Sequence, residues 1–71
     1  MKIVKQFGKN LRNLRDKQGL SLRGLAEKAE IGHNTIAQIE NKGVDPHLSV
    51  LLALSKGFGQ NIHEFLKSCG L

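Results

Sequence analysis

Apolar residues recur every three or four positions in the first part of the chain, which is the spacing of one face of an α-helix. This stripe comprises Val4, Phe7, Leu11 and Leu14. Gly19 follows it as a typical helix stop. The pattern predicts a first helix with one buried face. The basic residues Lys2, Lys5, Lys9 and Arg12 cluster nearly opposite the apolar stripe, whereas Arg15 falls at its border.

Two shorter helices are predicted next. Ser21 is a favourable N-cap for the second helix, which we expect to end near Ala29 or Glu30. Its apolar face comprises Leu22, Leu25 and Ala26. The third helix is predicted from His33 to about Asn41, with Gly43 just beyond its end. Its inward-facing residues are Ile36 and Ile39.

A fourth helix is predicted after a short loop. Asp45 before Pro46 is typical of a cap followed by the first helical position. The predicted inward face comprises Leu48, Leu51, Leu52 and Ser55, widened by Val50 and Leu54. Gly57 breaks the pattern.

The last apolar cluster predicts a fifth helix at about 61–68. Asn61 and Glu64 have the spacing of a capping box at its start. Its apolar residues are Ile62, Phe65 and Leu66. Because every periodic segment has the helical spacing, the chain is predicted to be all-α, with five short helices.

The length of 71 residues predicts one domain that spans 1–71 and has a thin stability margin. Cys69 is the only cysteine, so no internal disulfide can form, which favours a reducing compartment. The segment from Met1 to Lys5 lacks the apolar run of a signal peptide, and no stretch approaches the ~20 apolar residues of a membrane span. We therefore expect a cytoplasmic protein without membrane contact.

Positive charge is concentrated in the first part of the chain. The net charge is +5, yet residues 1–28 carry eight lysines and arginines against two acidic residues, which leaves +6 there and −1 in the remainder. Such an asymmetry favours a polyanionic partner. Taken alone, it is equally consistent with a solvated surface that keeps the protein soluble.

We expect no enzyme activity, metal or cofactor. The histidines and the cysteine, which are His33, His47, His63 and Cys69, lack the spacing of metal ligands. No glycine-rich phosphate loop follows a strand, and no carboxylate pair or nucleophile with its base is recognisable. The length also leaves no room for a separate ligand-sensing domain, so no small-molecule ligand is predicted.

Four short segments resemble one known family. They are Ser21-Leu-Arg-Gly-Leu-Ala26, Ile31-Gly-His-Asn-Thr-Ile36, Ile39-Glu40-Asn-Lys-Gly43 and Asp45-Pro46. Their order and spacing resemble the phage-repressor, Cro-like (XRE) helix-turn-helix domain over roughly residues 7–66. The resemblance implies a five-helix, lambda-repressor-like DNA-binding domain whose helix-turn-helix spans about 21–41.

The resemblance makes the third helix, at about 33–41, the recognition helix. Its base-reading positions map onto His33, Asn34, Ala37 and Gln38. The amides of Asn34 and Gln38 match the donor and acceptor edge of adenine, and Ala37 can admit a thymine methyl. His33 can contact guanine or a phosphate. The alternative is an ordinary polar helix face in solvent.

The resemblance also implies phosphate contacts and one structural ion pair. The phosphate candidates are Ser21, Arg23, Thr35, Asn41, Lys42 and His47, which carry the hydroxyls, amides and cations that such contacts need. Each of them can instead be a cap or a plain surface group. The ion pair joins Arg15 to Glu40, and we expect it to fix the first helix on the third.

Specific recognition by so short a helix predicts a homodimer on a palindromic operator. The predicted dimer interface comprises Ile62, Phe65, Leu66 and Leu71, with Cys69, Val50 and Leu54 as possible additions. For Ile62 and Phe65, burial in the core of one chain is an equal alternative.

Three residues depart from the family pattern. Leu22 occupies the usual glutamine position, Gly24 lies inside the second helix, and Gly32 replaces a serine-type cap.

The family resemblance and the polar face of the third helix together predict a sequence-specific transcriptional regulator of the repressor or controller type. The alternative, favoured by Leu22, is a helix-turn-helix scaffold that serves as a protein-interaction adaptor.

Overall fold

Five α-helices and no strand are found in residues 2–70, the part of the chain that the computed structural model describes. They are α1 (Lys2–Lys17), α2 (Leu22–Ala29), α3 (His33–Lys42), α4 (Leu48–Gly57) and α5 (Ile62–Ser68). The predicted all-α class is confirmed. None of these helices has the length and apolar character needed to cross a membrane.

The predicted caps of α2 and α5 are present. The Ser21 hydroxyl accepts a hydrogen bond from the Gly24 amide at 2.9 Å. In α5, the Asn61 carboxamide oxygen accepts from the Glu64 amide at 2.8 Å, and the Glu64 carboxylate accepts from the Asn61 amide at 3.3 Å. Gly43 ends α3 with a φ of 63°, a conformation that glycine adopts without steric cost. These local signals were therefore sufficient to predict where α2 and α5 begin and where α3 ends.

The start of α4 was predicted wrongly. The helix begins at Leu48 with His47 as N-cap, so Asp45 and Pro46 belong to the preceding extended segment. Pro46 lines an apolar depression against α1 together with Phe7 and other residues. This packing explains the difference, because an extended segment carries the proline onto α1 before the helix starts.

The inward face of α4 was also predicted partly wrongly. Leu48 is 67% exposed and Leu52 is 49% exposed, whereas Leu54 and Ser55 are buried. The four leucines of α4, at positions 48, 51, 52 and 54, cannot all be buried, because successive side chains of a helix are turned by about 100° and these four do not share one face. The buried hydroxyl of Ser55 donates to the Leu52 carbonyl at 2.7 Å, which satisfies its hydrogen-bonding requirement.

Three phenylalanines meet where α1, α4 and α5 converge. Phe65 is fully buried and packs edge-on against Phe7 and stacked against Phe58, with ring centroids 6.0 and 5.7 Å apart. Such arrangements are favoured by the charge distribution of aromatic rings. The other buried hydrophobic residues are Leu11, Leu25, Ala26, Ala29, Ile36, Ile39, Leu54 and Cys69. All five helices thus contribute to the core, which packs against the buried face of α3 formed by Ile36 and Ile39.

Candidate nucleic-acid interface

Arg15 of α1 and Glu40 of α3 form a two-fold hydrogen-bonded ion pair. The Nε and Nη2 atoms of Arg15 donate to the two carboxylate oxygens of Glu40 at 2.9 and 3.0 Å. A third donor, Nη1, reaches the Leu20 carbonyl at 2.9 Å. The side chain of Glu40 is only 3% exposed. The hydrogen bonds with Glu40 raise the pKa of Arg15, although burial acts in the opposite direction.

This ion pair fixes the position of α3. Paired planar groups restrict both distance and angle, so α1 and the C-terminal half of α3 are held in one orientation. The bond to the carbonyl of Leu20 adds the loop before α2 to the same unit. A helix held at this end and supported by the buried Ile36 and Ile39 can present a defined surface.

The outer surface of α3 carries the residues that the sequence assigned to base reading. Asn34 and Gln38 are exposed and lie one helical turn apart. His33 and Ala37 are half-buried at the margins of this surface. The two carboxamides therefore lie side by side on the exposed face, with the small side chain of Ala37 between the turns.

The phosphate candidates lie in three places around α3. Ser21 and Arg23 are exposed at the start of α2, and Arg23 shares an open depression with His33. Thr35 and His47 line a second depression between α3 and the loop before α4, beside Asn34 and Gln38. The remaining candidates, Asn41 and Lys42, lie at the far end of α3 against α1. The candidates thus surround the exposed face of α3 on three sides.

A sequence model of the helix-turn-helix family matches residues 11–65. The chain belongs to this family, of the XRE type. The HTH-type transcriptional regulator PuuR of Escherichia coli (strain K12) is 41% identical over 58 residues, and so is PuuR of Shigella flexneri. The match covers 82% of this chain and 31% of each relative, so the chain spans under a third of their length.

A solved structure has the same fold as this helix-turn-helix chain. The crystal structure of the clp gene regulator ClgR from C. glutamicum superposes with a TM-score of 0.77 and is 21% identical in sequence. The match covers 94% of this chain and 87% of that one. At this level of identity, the likeness shows the arrangement of helices alone.

The structure gives surroundings that account for Leu22 and Gly24, whereas nothing in it explains the glycine at position 32. Leu22 is half-buried and packs against the core, so apolar contact replaces the polar role of the usual glutamine. A Cβ at Gly24 would lie 3.0 Å from the Ser21 hydroxyl oxygen, which caps the same helix. Gly32 is the N-cap of α3 and provides no side-chain hydrogen bond there.

Part of the predicted dimer interface is corrected by the structure. Phe65 is fully buried between Phe7 and Phe58, so it has no surface to offer a second copy. Leu54, named as a possible addition, is likewise fully buried. In so short a chain, in which few side chains can be fully buried, Phe65 of the last helix contributes to the core.

The remaining interface candidates differ in position. Ile62 and Leu66 are half-buried against the core, and Val50 lines the depression beside α3. Leu71 lies outside the described residues. Cys69, also offered for the interface, is 1% exposed and belongs to the core, so that prediction is wrong; burial raises the pKa of its thiol to about 11. The Cys69 carbonyl accepts a hydrogen bond from the Asn10 side chain at 2.8 Å, which connects the end of α5 to α1.

Two residues that sequence reasoning did not assign lie beside the predicted phosphate contacts. Lys5 and Lys9 line the same depression as Asn41 and Lys42. Helical periodicity grouped these lysines on one face of α1 but gave no indication of which helix lies next to it. Gly8 was the available signal, because a glycine inside a helix lowers its stability and is used where another group must approach the backbone closely. Within residues 2–70, no cluster of histidine, cysteine or acidic residues is suitable for holding a metal ion.

Proposed function

We propose that this chain is a cytoplasmic, sequence-specific DNA-binding domain that regulates transcription and binds a palindromic operator as a homodimer. One observation carries the proposal: α3 presents the paired carboxamides of Asn34 and Gln38 on an exposed face while Arg15 and Glu40 hold its other end. The relatives named as HTH-type transcriptional regulators support the same function.

Base reading follows from the chemistry of the exposed face of α3. A helix fits the major groove of B-form DNA, where adenine offers one donor and one acceptor to a carboxamide. Asn34 and Gln38 each supply the complementary pair of groups, and Ala37 leaves space for a thymine methyl. The proposed operator half-site therefore contains A·T pairs at the positions that these two side chains face. His33, at the start of the helix, is assigned to a guanine or to the adjacent backbone.

The surrounding residues are assigned to the phosphates on either side of the groove. At the start of α2, the Ser21 hydroxyl accepts the capping hydrogen bond and can still donate its own proton to a phosphate oxygen. Arg23 adds a charge at the same place. Thr35 and His47 are assigned to one backbone strand beside α3. Asn41 and Lys42 are assigned to the backbone at the far end of α3.

Size and geometry support two copies on one operator. Two recognition helices on the same face of B-form DNA are about 34 Å apart. The described chain measures 28 × 24 × 23 Å, so two copies that touch each other can span this distance. Without Phe65, Ile62 and Leu66 are the apolar residues of α5 that retain surface for the contact.

Selection of bound duplexes from a random DNA pool tests the proposal. We expect a palindrome with half-site centres one helical turn apart, and an affinity for it that falls linearly with salt concentration on a double logarithmic plot. Random duplex of the same length is the control and should bind more weakly at every salt concentration. Absence of duplex binding at low salt would instead support the protein-interaction adaptor, for which the half-buried Leu22 is the structural argument.

Two single substitutions separate base reading from phosphate contact. Gln38→Ala should relax base preference at one position in each half-site, with a cost of about 1–3 kcal/mol on the preferred base. Lys42→Ala should weaken binding to all duplexes alike and reduce the salt slope by about 1. Electrophoretic mobility shifts with operator, single-base variants and random duplex measure both effects. The opposite pattern would overturn the assignment of roles.

A further inference from the structure

Three lysines from two helices surround one depression at the end of α3. Lys5 and Lys9 come from α1, and Lys42 comes from the last turn of α3. The depression is also lined by Glu40, Asn41 and Gly43. It lies at the C-terminal end of α3, away from the turn between α2 and α3, so α1 adds positive charge beside the helix-turn-helix motif.

Two glycines bring the lysines together. Lys5 and Lys9 lie one turn apart on α1, and Gly8 between them packs against the backbone of Ile39 and Glu40. Gly43, with a φ of 63°, lies under the aliphatic stem of Lys5; a Cβ there would be only 2.9 Å from the Lys5 Cγ atom. The close approach of the two backbones therefore fixes the lysine cluster in place.

The positive charge of this cluster is not neutralised within residues 2–70. The one carboxylate in the lining, that of Glu40, is almost fully buried and is occupied by Arg15. None of the three lysines forms an ion pair in the described part of the chain, and all three side chains are exposed. A depression with three free ammonium groups and the Asn41 carboxamide at its edge is suited to an anion with several acceptor oxygens.

The position of the cluster relative to α3 indicates which anion it binds. Lys42 follows Gln38 by four residues, so it lies on the same face about 6 Å further along the helix axis. A duplex that is read by Gln38 must therefore pass its sugar-phosphate backbone close to Lys42. Lys5 and Lys9 lie beside Lys42, where they can extend such a contact to neighbouring phosphates.

We propose that Lys5, Lys9 and Lys42 form one binding site for the phosphodiester backbone of duplex DNA, so that α1 takes part in DNA binding. The inference rests on the proposed function and adds a partner segment to the same interface. Lysines act on phosphates as point charges without base preference. The site therefore contributes affinity and salt dependence at every sequence, and it contributes no discrimination between bases.

The test is the double variant Lys5→Gln/Lys9→Gln, which removes two charges and keeps the stem that covers Gly43. The matched control is Lys17→Gln/Lys67→Gln, which makes the same change in net charge at two exposed lysines outside the depression. Thermal unfolding of both variants should match the wild type because all four side chains are exposed. Duplex affinity is then measured across a range of salt concentrations with the selected operator and with random duplex.

We expect the salt slope of Lys5→Gln/Lys9→Gln to be smaller than that of the wild type by about 1.8, at about 0.9 for each phosphate that the variant no longer neutralises. The preference for operator over random duplex should be unchanged, and the control should keep the wild-type slope. Equal slopes in the two double variants, with operator preference intact, would overturn this inference and leave the proposed function standing. If Lys5→Gln/Lys9→Gln has a reduced salt slope but the wild type binds operator and random duplex equally well, the phosphate site is supported and sequence-specific regulation is overturned. No duplex binding by the wild type at low salt would overturn both.

Discussion

We expect replacement of Glu40 by alanine to lower the free energy of unfolding by about 3 kcal/mol. The substitution removes both carboxylate oxygens that accept hydrogen bonds from the guanidinium of Arg15, whose side chain is 12% exposed, and leaves only the exposed Asp16 carboxylate at 3.7 Å. Such a buried charge keeps its desolvation cost but loses the interaction that offset it. Urea unfolding followed by circular dichroism measures the change, because the midpoint falls while the slope of the transition stays the same.

A matched control for Glu40→Ala is available on the surface. Glu30 and Lys56 form an ion pair at 3.6 Å with both side chains largely exposed. Glu30→Ala removes a carboxylate of the same type, yet it should change the free energy of unfolding by less than about 1 kcal/mol because exposed pairs contribute little. Equal losses in the two variants would contradict the role assigned to the buried pair.

A double substitution, expected to recover part of the stability lost in Glu40→Ala, tests the physical basis of this effect. Replacement of both partners, as Arg15→Met/Glu40→Leu, removes the desolvation cost together with the attraction. We expect this variant to be more stable than Glu40→Ala in the same urea experiment. The Leu20 carbonyl loses its donor in the double variant, which limits the recovery. A double variant less stable than the single one would show that the pair stabilises the fold beyond its cost.

Helix ends were the features best predicted from the sequence. Ser21 as an N-cap, Gly43 after α3 and the Asn61–Glu64 capping box all depend on contacts within five residues. Such contacts are fully encoded in a short stretch of sequence. The same locality explains why the boundaries of α2, α3 and α5 agree with the prediction to within one or two residues.

The features that were predicted wrongly depend on packing between distant segments. The apolar residues of α4 are compatible with several helical faces, and the packing of α4 against α2 and α5 decides that Leu48 and Leu52 stay exposed. Phe65 could equally have formed an interface or a core, and the proximity of Phe7 and Phe58 decides for the core. Hydrophobic periodicity identifies the apolar face of a helix, but it does not identify the helix or the second chain that covers this face.

In the candidate interface, too, the features set by local sequence were predicted, and those set by packing between distant segments were not. Residues on α3 were found because one helix and one family motif place them together. Lys5 and Lys9 were grouped correctly on the charged face of α1, but their meeting with Lys42 depends on the crossing of α1 over the end of α3. That crossing requires a glycine, and its consequences can be measured.

Replacement of Gly8 by alanine should destabilise the protein by about 3 kcal/mol, at the upper end of the range for overpacking. A Cβ at this position would overlap the carbonyl oxygen of Ile39 and lie 3.2 Å from its carbonyl carbon and 3.4 Å from the Glu40 Cα. All three neighbours are backbone atoms, so no side-chain rotation relieves the overlap. Helix α1 must move away from α3, and the gain of ~1 kcal/mol in helix propensity offsets only part of the cost.

Two other glycines provide graded controls for Gly8→Ala in the same thermal and urea experiments. At Gly57 a Cβ would meet mainly side chains, Ala29 Cβ at 3.0 Å and Leu25 Cδ1 at 3.1 Å, so a smaller loss is expected. At Gly24 the nearest atom is the Ser21 hydroxyl oxygen, and helix propensity should bring the variant within about 1 kcal/mol of the wild type. The expected order of loss is Gly8, Gly57, Gly24. A Gly8→Ala protein as stable as Gly24→Ala would mean that α1 and α3 do not cross in backbone contact, and the fixed positions of Glu40 and of the lysine cluster would lose their basis.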